Sequence, residues 1–446
     1  MQSDQMESEL KALVEDILKS AKRQGVDQAE VSASVDSGLV VSVRKGELEN
    51  VEFNKDRGFG ITVYVGQRKG SASTTDSSSQ AIEDTVAAAK RIATYTEDDP
   101  CNGLADADLA PKEIRDLDLY HPWDVEADAA TQLAIECETA GLALDARLTN
   151  SDGAQTATHQ TTRVYGNSHG FIGAYSGTRQ SLSCVLIGED DNGMQRDYWY
   201  TVARDAHDLE DAASVGRQAA ERTVARLSPR KAPTGKFPVI FSAQQAGGFF
   251  GHLIGAISGG SLYRKASFLL DSMGESVLPD WLSLFERPHL QKALGSANFD
   301  GDGVATYEKP FVDEGRIASY VLSTYSARKL GLTSTANASG VCNLDIVGPT
   351  TPSADLVKGV DQGLYITELM GQGINGVTGD YSRGAAGFWI EKGEIAYPVA
   401  EVTIAGNLRE MYANVEAIGD DFDYRSNIRA PSVLVGEMML AGEGAG

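Results

Sequence analysis

Cysteine is scarce in this chain, with four in 446 residues at positions 101, 137, 184 and 342. None forms a Cys-x-x-Cys pair, which argues against zinc ribbons, dithiol redox motifs and a disulfide framework. Reduced thiols and a cytoplasmic location are expected. Long apolar runs are missing as well. No stretch reaches the ~18 consecutive apolar residues a membrane-spanning helix needs. The opening residues, Met1-Gln2-Ser3-Asp4-Gln5-Met6-Glu7, are polar and acidic, unlike a signal peptide. Positive charge is short: 39 Lys and Arg face 63 Asp and Glu, a net charge of −24. Nucleic-acid binding draws on neutralised phosphates, so neither nucleic acid nor an anionic membrane is an expected partner. Of the six histidines, His121, His159, His169, His207 and His289 have no second His three to five residues away. None of them begins a helical zinc motif.

What is present reads as an ordinary globular protein. Hydrophobic residues make up 42% and charged residues 23%, and the length allows two domains with separate cores. Leu10, Leu13, Val14, Ile17, Leu18 and Ala21 follow the three-four spacing of an amphipathic helix. Short strands are predicted at 31–35, 40–43 and 60–65, with turns at Lys45-Gly46 and Asp56-Arg57-Gly58. Helices near 81–93 and 125–143 follow, then four short strands around 161–165, 171–175, 181–187 and 197–202, and a helix near 212–227. Pro229, Pro233 and Gly235 cannot continue that helix. A boundary there gives an N-terminal domain over 1–228 and a C-terminal, β-rich domain over 237–446. Without regular strand–helix alternation, both halves are expected to be α+β, with helices and antiparallel sheets mixed.

The second half opens with a buried strand at 237–241. Ser242 and Gln245 then read as a capping box starting a helix over about 243–258. Hairpins are predicted at Glu314-Gly315 and Lys392-Gly393, the glycines supplying positive φ. The helix runs Gly247-Gly248-Phe249-Phe250-Gly251-His252-Leu253-Ile254-Gly255-Ala256 and leaves through a Gly259-Gly260 break into Tyr263, Arg264 and Lys265. Hydrolytic zinc needs about three protein ligands, an open position for water and a carboxylate base. His252 is one ligand, and Arg264 and Lys265 fit a helix C-terminus on charge alone. Two other motifs dissolve on inspection. Asn298-x-Asp300-x-Asp302-Gly303 starts like a calcium loop, but Lys309 stands where a bidentate Glu is required. Gly371-x-Gly373-x-x-Gly376 has the glycine spacing of a dinucleotide loop but leads into Val377 to Gly384, which does not read as a helix, so nucleotide binding is not expected.

Several ordered blocks extend across nearly the whole chain: Val43 to Asn54, Gly166-Asn167-Ser168-His169-Gly170, Leu262-Tyr263-Arg264-Lys265, Thr324 to Gly331, Thr367 to Trp389 and Pro398 to Leu408. Together they resemble the TldD/PmbA (TldD/TldE) metallopeptidase family. Its catalytic subunit carries His-Glu-x-x-x-His in the helix described above. Aligned through the shared aromatic-or-aliphatic, x, Arg ending, Gly251 stands at the first His, His252 at the Glu and Ala256 at the second His. Ala430 stands where a cysteine completes the metal site. The resemblance therefore implies the PmbA/TldE branch, with no zinc in this chain. Zinc is expected in a TldD-type metallopeptidase subunit that pairs with it one-to-one. It also implies a cytoplasmic complex that admits unfolded peptides to a narrow cavity, linked in bacteria to antitoxin turnover and microcin maturation. In that reading His252, Tyr263, Arg264, Lys265 and Asp380 are candidate cleft or interface residues. Two histidines five residues apart sit roughly 140° apart around an ideal helix, so the family motif implies a distorted one, which Gly251 and Gly255 permit. The alternative is a self-contained peptide-binding or chaperone-like homodimer.

Overall fold

In the computed structural model, which describes residues 2–442, the first apolar stripe forms α1 (Gln2–Arg23). Leu10, Val14, Ile17 and Ala21 on its inner face are fully buried. The next two strands are longer than expected, β1 (Gln28–Arg44) and β2 (Glu47–Val65), and β3 (Arg68–Thr74) follows where no strand was predicted. The two short strands at 31–35 and 40–43 are one, and Asp56-Arg57-Gly58 lies inside β2 rather than in a turn. Gly38 is also no break. A Cβ there would stand 2.4 Å from the Thr158 carbonyl oxygen, so glycine serves a close approach between strands. The turn at Lys45-Gly46 does form, with φ of 54° and 75°. Its two amides donate to the buried carboxylate of Glu138, at 2.9 and 2.8 Å.

After α2 (Ser79–Tyr95) and α3 (Ala127–Leu142) come β4 (Asn150–Asn167), β5 (Ile172–Asp190) and β6 (Gly193–Ala203), then α4 (Ala212–Ala225). The expected strands at 171–175 and 181–187 are again one. Together the six strands make a single antiparallel sheet in the order β3-β2-β1-β4-β5-β6. All four helices cover one face. α1 and α2 pack over Val31, Ala33, Ile61 and Val164, and α3 and α4 over Ala154, Cys184 and Leu186. The chain between α2 and α3 crosses to the second half. There Arg328 donates to the Leu104 carbonyl at 2.7 Å, Tyr325 to Asp99 at 2.7 Å, and the Ala305 amide to the Leu109 carbonyl at 2.8 Å.

The second half begins with β7 (Gly235–Phe241), α5 (Ala243–Ala256) and the short α6 (Gly259–Tyr263). Two local expectations fail. Ser242 precedes α5, but its hydroxyl is buried without a partner and Gln245 donates to the Thr367 carbonyl, so no capping box forms. Gly259-Gly260 starts a helix instead of breaking one. Gly259 is there because a Cβ would lie 2.3 Å from the Ser326 hydroxyl.

The remaining elements are β8 (Ser283–Glu286), β9 (Lys309–Asp313), β10 (Arg316–Ile317), α7 (Thr324–Leu330), β11 (Leu344–Val347), α8 (Ser353–Lys358), β12 (Gln362–Met370), β13 (Asp380–Glu391), β14 (Glu394–Asn407), α9 (Leu408–Ala413), β15 (Val415–Ile418), β16 (Ile428–Arg429) and β17 (Val433–Ala441). They form two sheets, β10-β9-β8-β11-β16 and β14-β13-β12-β7-β17-β15. β17 also pairs with β14, which closes five strands of the second sheet into a ring. Both predicted hairpins form, with positive φ at Glu314, Gly315, Lys392 and Gly393. Helices and largely antiparallel sheets are mixed in each half, the α+β class expected.

Candidate functional site

α5 is held by large apolar anchors. The Phe249 ring stacks on Phe241 at 5.1 Å, Phe250 and Leu253 are fully buried, and the Tyr412 hydroxyl donates to the Phe249 carbonyl at 2.8 Å. Its other face is bare. A Cβ on Gly248 or Gly255 would meet nothing within 4 Å, and one on Gly251 only Ile428 Cδ1 at 3.5 Å. Packing does not require these glycines, although each costs about 1 kcal/mol against alanine in a helix.

The structure brings α5 against β16, just before Ala430. No donor set results. Ala256 and Ala430 are buried in the main apolar core. α5 is helical throughout 251–256, and the Ile257 amide still donates to the Leu253 carbonyl. The distortion that Gly251 and Gly255 permit is therefore not taken up. Positions 251 and 256 stay roughly 140° apart, one towards Ile428 and one in the core. Among the described residues no three His, Cys, Asp or Glu side chains are grouped to hold a metal. The residues at these four positions do not fit a zinc ion.

His252 is half-buried, its ring edge-on to Tyr381 with centroids 6.2 Å apart. Burial, aided by the Arg383 charge, holds its pKa below the ordinary value, so the imidazole is neutral at pH 7. Burial also pushes the Tyr381 phenol up to about 12. Tyr263 ends α6 with its ring 5.9 Å from that of Tyr325, and Arg264 lies over it at 5.4 Å. Arg264 and Lys265 are exposed and form no salt bridge among the described residues. Asp380 is committed to its own turn. It accepts from the Thr378 hydroxyl at 2.6 Å and from Asn407 Nδ2 at 3.3 Å. The segment after Lys265 joins the same region, since the Phe268 amide donates to the Gly376 carbonyl at 2.9 Å. No contact among the described residues joins all five candidates. Asp380 and Tyr381 are successive residues of β13 with side chains on opposite faces, Asp380 exposed and Tyr381, which His252 meets, buried.

The Asn298 loop is a turn that braces its surroundings. Asp300 accepts amides from Asp302 and Val304 at 3.0 Å and from Ala338 at 2.8 Å. Burial, reinforced by Asp302, nevertheless raises its pKa from 3.8 to about 6. The folded state therefore holds this proton more tightly than the unfolded chain. The resulting stabilisation is full below pH ~4 and is lost as pH rises to about 6. Thermal melts of the protein and of Asp300→Asn between pH 4 and 7 should show the parent losing up to about 3 kcal/mol relative to the variant across that window. A pH-independent difference would contradict it.

A second region went unnoticed in the sequence. The sheet face away from the helices is polar. Part of it borders a cavity of about 450 Å³ against the second half, lined by Thr161, Arg163, Tyr175, Arg204, Ser296 and Asp300 among others. The signal was the alternation in β4, where Thr161, Arg163 and Tyr165 face the cavity and Thr162, Val164 and Gly166 the helices.

Comparison with known proteins covers almost the whole chain. The PmbA/TldA metallopeptidase domain 1 matches residues 29–93, the central domain 120–227 and the C-terminal domain 234–442. Metalloprotease PmbA of Escherichia coli O157:H7 is 50% identical over 444 residues, covering 98% of both chains. A crystal structure from Bacteroides thetaiotaomicron, described as a candidate modulator of DNA gyrase, superposes with a TM-score of 0.92 at 28% identity, covering 98% of this chain and 99% of that one. TldE of Thermococcus kodakarensis shares the fold, with a TM-score of 0.85 at 18% identity over 96% of this chain and 100% of that one. By sequence along its full length and by fold, the chain belongs to the PmbA/TldD metallopeptidase family.

Proposed function

We propose that this chain is the zinc-free, PmbA/TldE-type subunit of a heteromeric metallopeptidase. A TldD-type partner supplies the zinc, and the pair cuts unfolded peptides in the cytoplasm, with antitoxin turnover and microcin-type maturation as the kinds of task. One observation carries the reading. At Gly251, His252, Ala256 and Ala430 the chain offers a single donor, on an unbroken helix whose second ligand position is buried in the core. This chain's part is to wall the cavity and position peptide. The bare α5 face supports that role, since glycines let a peptide backbone approach closely. A cytoplasmic site agrees with there being no helix among the described residues long and apolar enough to cross a membrane.

Metal analysis tests the assignment. Tag-free protein, dialysed and measured by mass spectrometry, is expected to carry well under one zinc per chain. About one tightly held zinc would overturn it.

A further inference from the structure

In a chain of net charge −24, three arginines stand near one another without a carboxylate partner. Arg163, Arg179 and Arg204 form no salt bridge among the described residues. The strand register places them on the same face of the N-terminal sheet. Arg163 pairs with Tyr175, the next position along pairs Thr161 with Gly177, and the one after pairs His159 with Arg179. Arg204, just past β6, lies over Gly177, where a Cβ would come within 2.9 Å of its Nη1. Any side chain at 177 would displace the guanidinium.

Arg204 is fixed but not neutralised. Its two Nη groups donate to the carbonyls of Thr178 at 3.0 Å and Leu294 at 2.8 Å, while its buried Nε has no partner. The Thr161 hydroxyl beside it is also buried without a partner. Burial and the nearby Arg179 both lower the Arg204 pKa, the direction expected of an uncompensated charge. The acid on the cavity wall is not the missing partner. Asp300 already accepts three backbone amides. Asp36, on the neighbouring strand, lies 3.6 Å from His159. Unpaired buried donors are costly unless a ligand or water meets them.

We infer that the cavity between the N-terminal sheet and the second half is an anion site for a peptide carboxylate, with Arg163 and Arg204 as its cationic walls and Thr161 as a neutral donor. A guanidinium matches a carboxylate with two parallel hydrogen bonds. The cavity, about 450 Å³ and open to solvent, admits the end of a chain rather than a folded surface. That the carboxylate belongs to a peptide rests on the functional reading above; the demand for an anion does not.

The test uses the intact chain and three small probes in calorimetric titrations: acetyl-dialanine as the free acid, its C-terminal amide, and an acetyl-aspartyl amide whose only acid is on the side chain. The free acid is expected to bind about tenfold or more tighter than its amide, the scale of one lost charge-assisted hydrogen bond. Arg163→Gln, an exposed position that folding tolerates, should abolish that preference. The aspartyl probe separates the sources: equal binding means any peptide carboxylate is taken, and weak binding means the chain terminus alone is. Acid and amide binding alike, or not at all, overturns the site, as does a preference that survives Arg163→Gln. If the preference holds but no TldD-type partner activates the chain, the heteromeric reading fails and the anion site stands.

Discussion

Incubated alone with an unfolded peptide, the purified protein is expected to release no fragments. Mixed with a TldD-type subunit, it is expected to take part in cleavage that a chelator stops. The physical reason is the missing water activation. Zinc lowers the pKa of a bound water to about 7, and without it this chain has no metal-activated water to attack an amide at neutral pH. The difference is that between catalysis and background, on the order of 10⁶-fold or more. Fragment release followed by mass spectrometry reads it directly. Chelator-sensitive cleavage by this chain alone, surviving stringent purification, would place a working site somewhere other than α5.

The second large effect concerns α3 and α4. They cross at Gly141 and Gly216, where a Cβ on Gly216 would stand 1.8 Å from the Cys137 carbonyl oxygen and 3.0 Å from the Gly141 nitrogen. Both obstacles are backbone, so no rotamer change relieves them. Gly216→Leu is expected to prise the helices apart and open the cluster of Ala134, Cys137, Cys184, Leu186 and Val215. Overpacking of this kind, with loss of the contact beneath it, costs about 4 kcal/mol or more. A fall in the first unfolding transition on heating would show it. Gly248→Ala is the opposite case. Nothing lies within 4 Å of its Cβ, so helix propensity alone acts and stability should rise by about 1 kcal/mol. If both substitutions shift the melt alike, the close approach of α3 and α4 is not as described.

Local periodicity read the helices well, because burial and the 3.6-residue repeat coincide in α1, α2, α3 and α4. It read strand breaks poorly. Gly38 and Gly177 look like turn residues, but they serve close approaches that only the partner strand or Arg204 explains. Polar runs such as Asp56-Arg57-Gly58 stay extended because β1 supplies the ladder, a constraint that lies elsewhere in the sequence. At the candidate site, the ligand-free identities of Gly251, Ala256 and Ala430 were visible in the sequence. The burial of Ala256 and Ala430, and a helix that does not distort, were not. Neither follows from residue spacing. The arginine-lined cavity was invisible for a related reason, since its walls come from β4, β5, the end of β6 and the second half.

The pairing of β1 with β4 also bears on how the chain is made. The Ala29 amide donates to the Ser168 hydroxyl, 139 residues further on. As the polypeptide leaves the ribosome, β1 and β2 can zip at once through the Lys45-Gly46 turn. The other edge of β1 then waits until β4 has been synthesised, at roughly 5–20 residues per second for several seconds or more. During that interval a long strand edge is open to the wrong neighbour. Closing so distant a contact is also slow in itself. Until β4 arrives, the nascent N-terminal half presents an edge that a chaperone could shield.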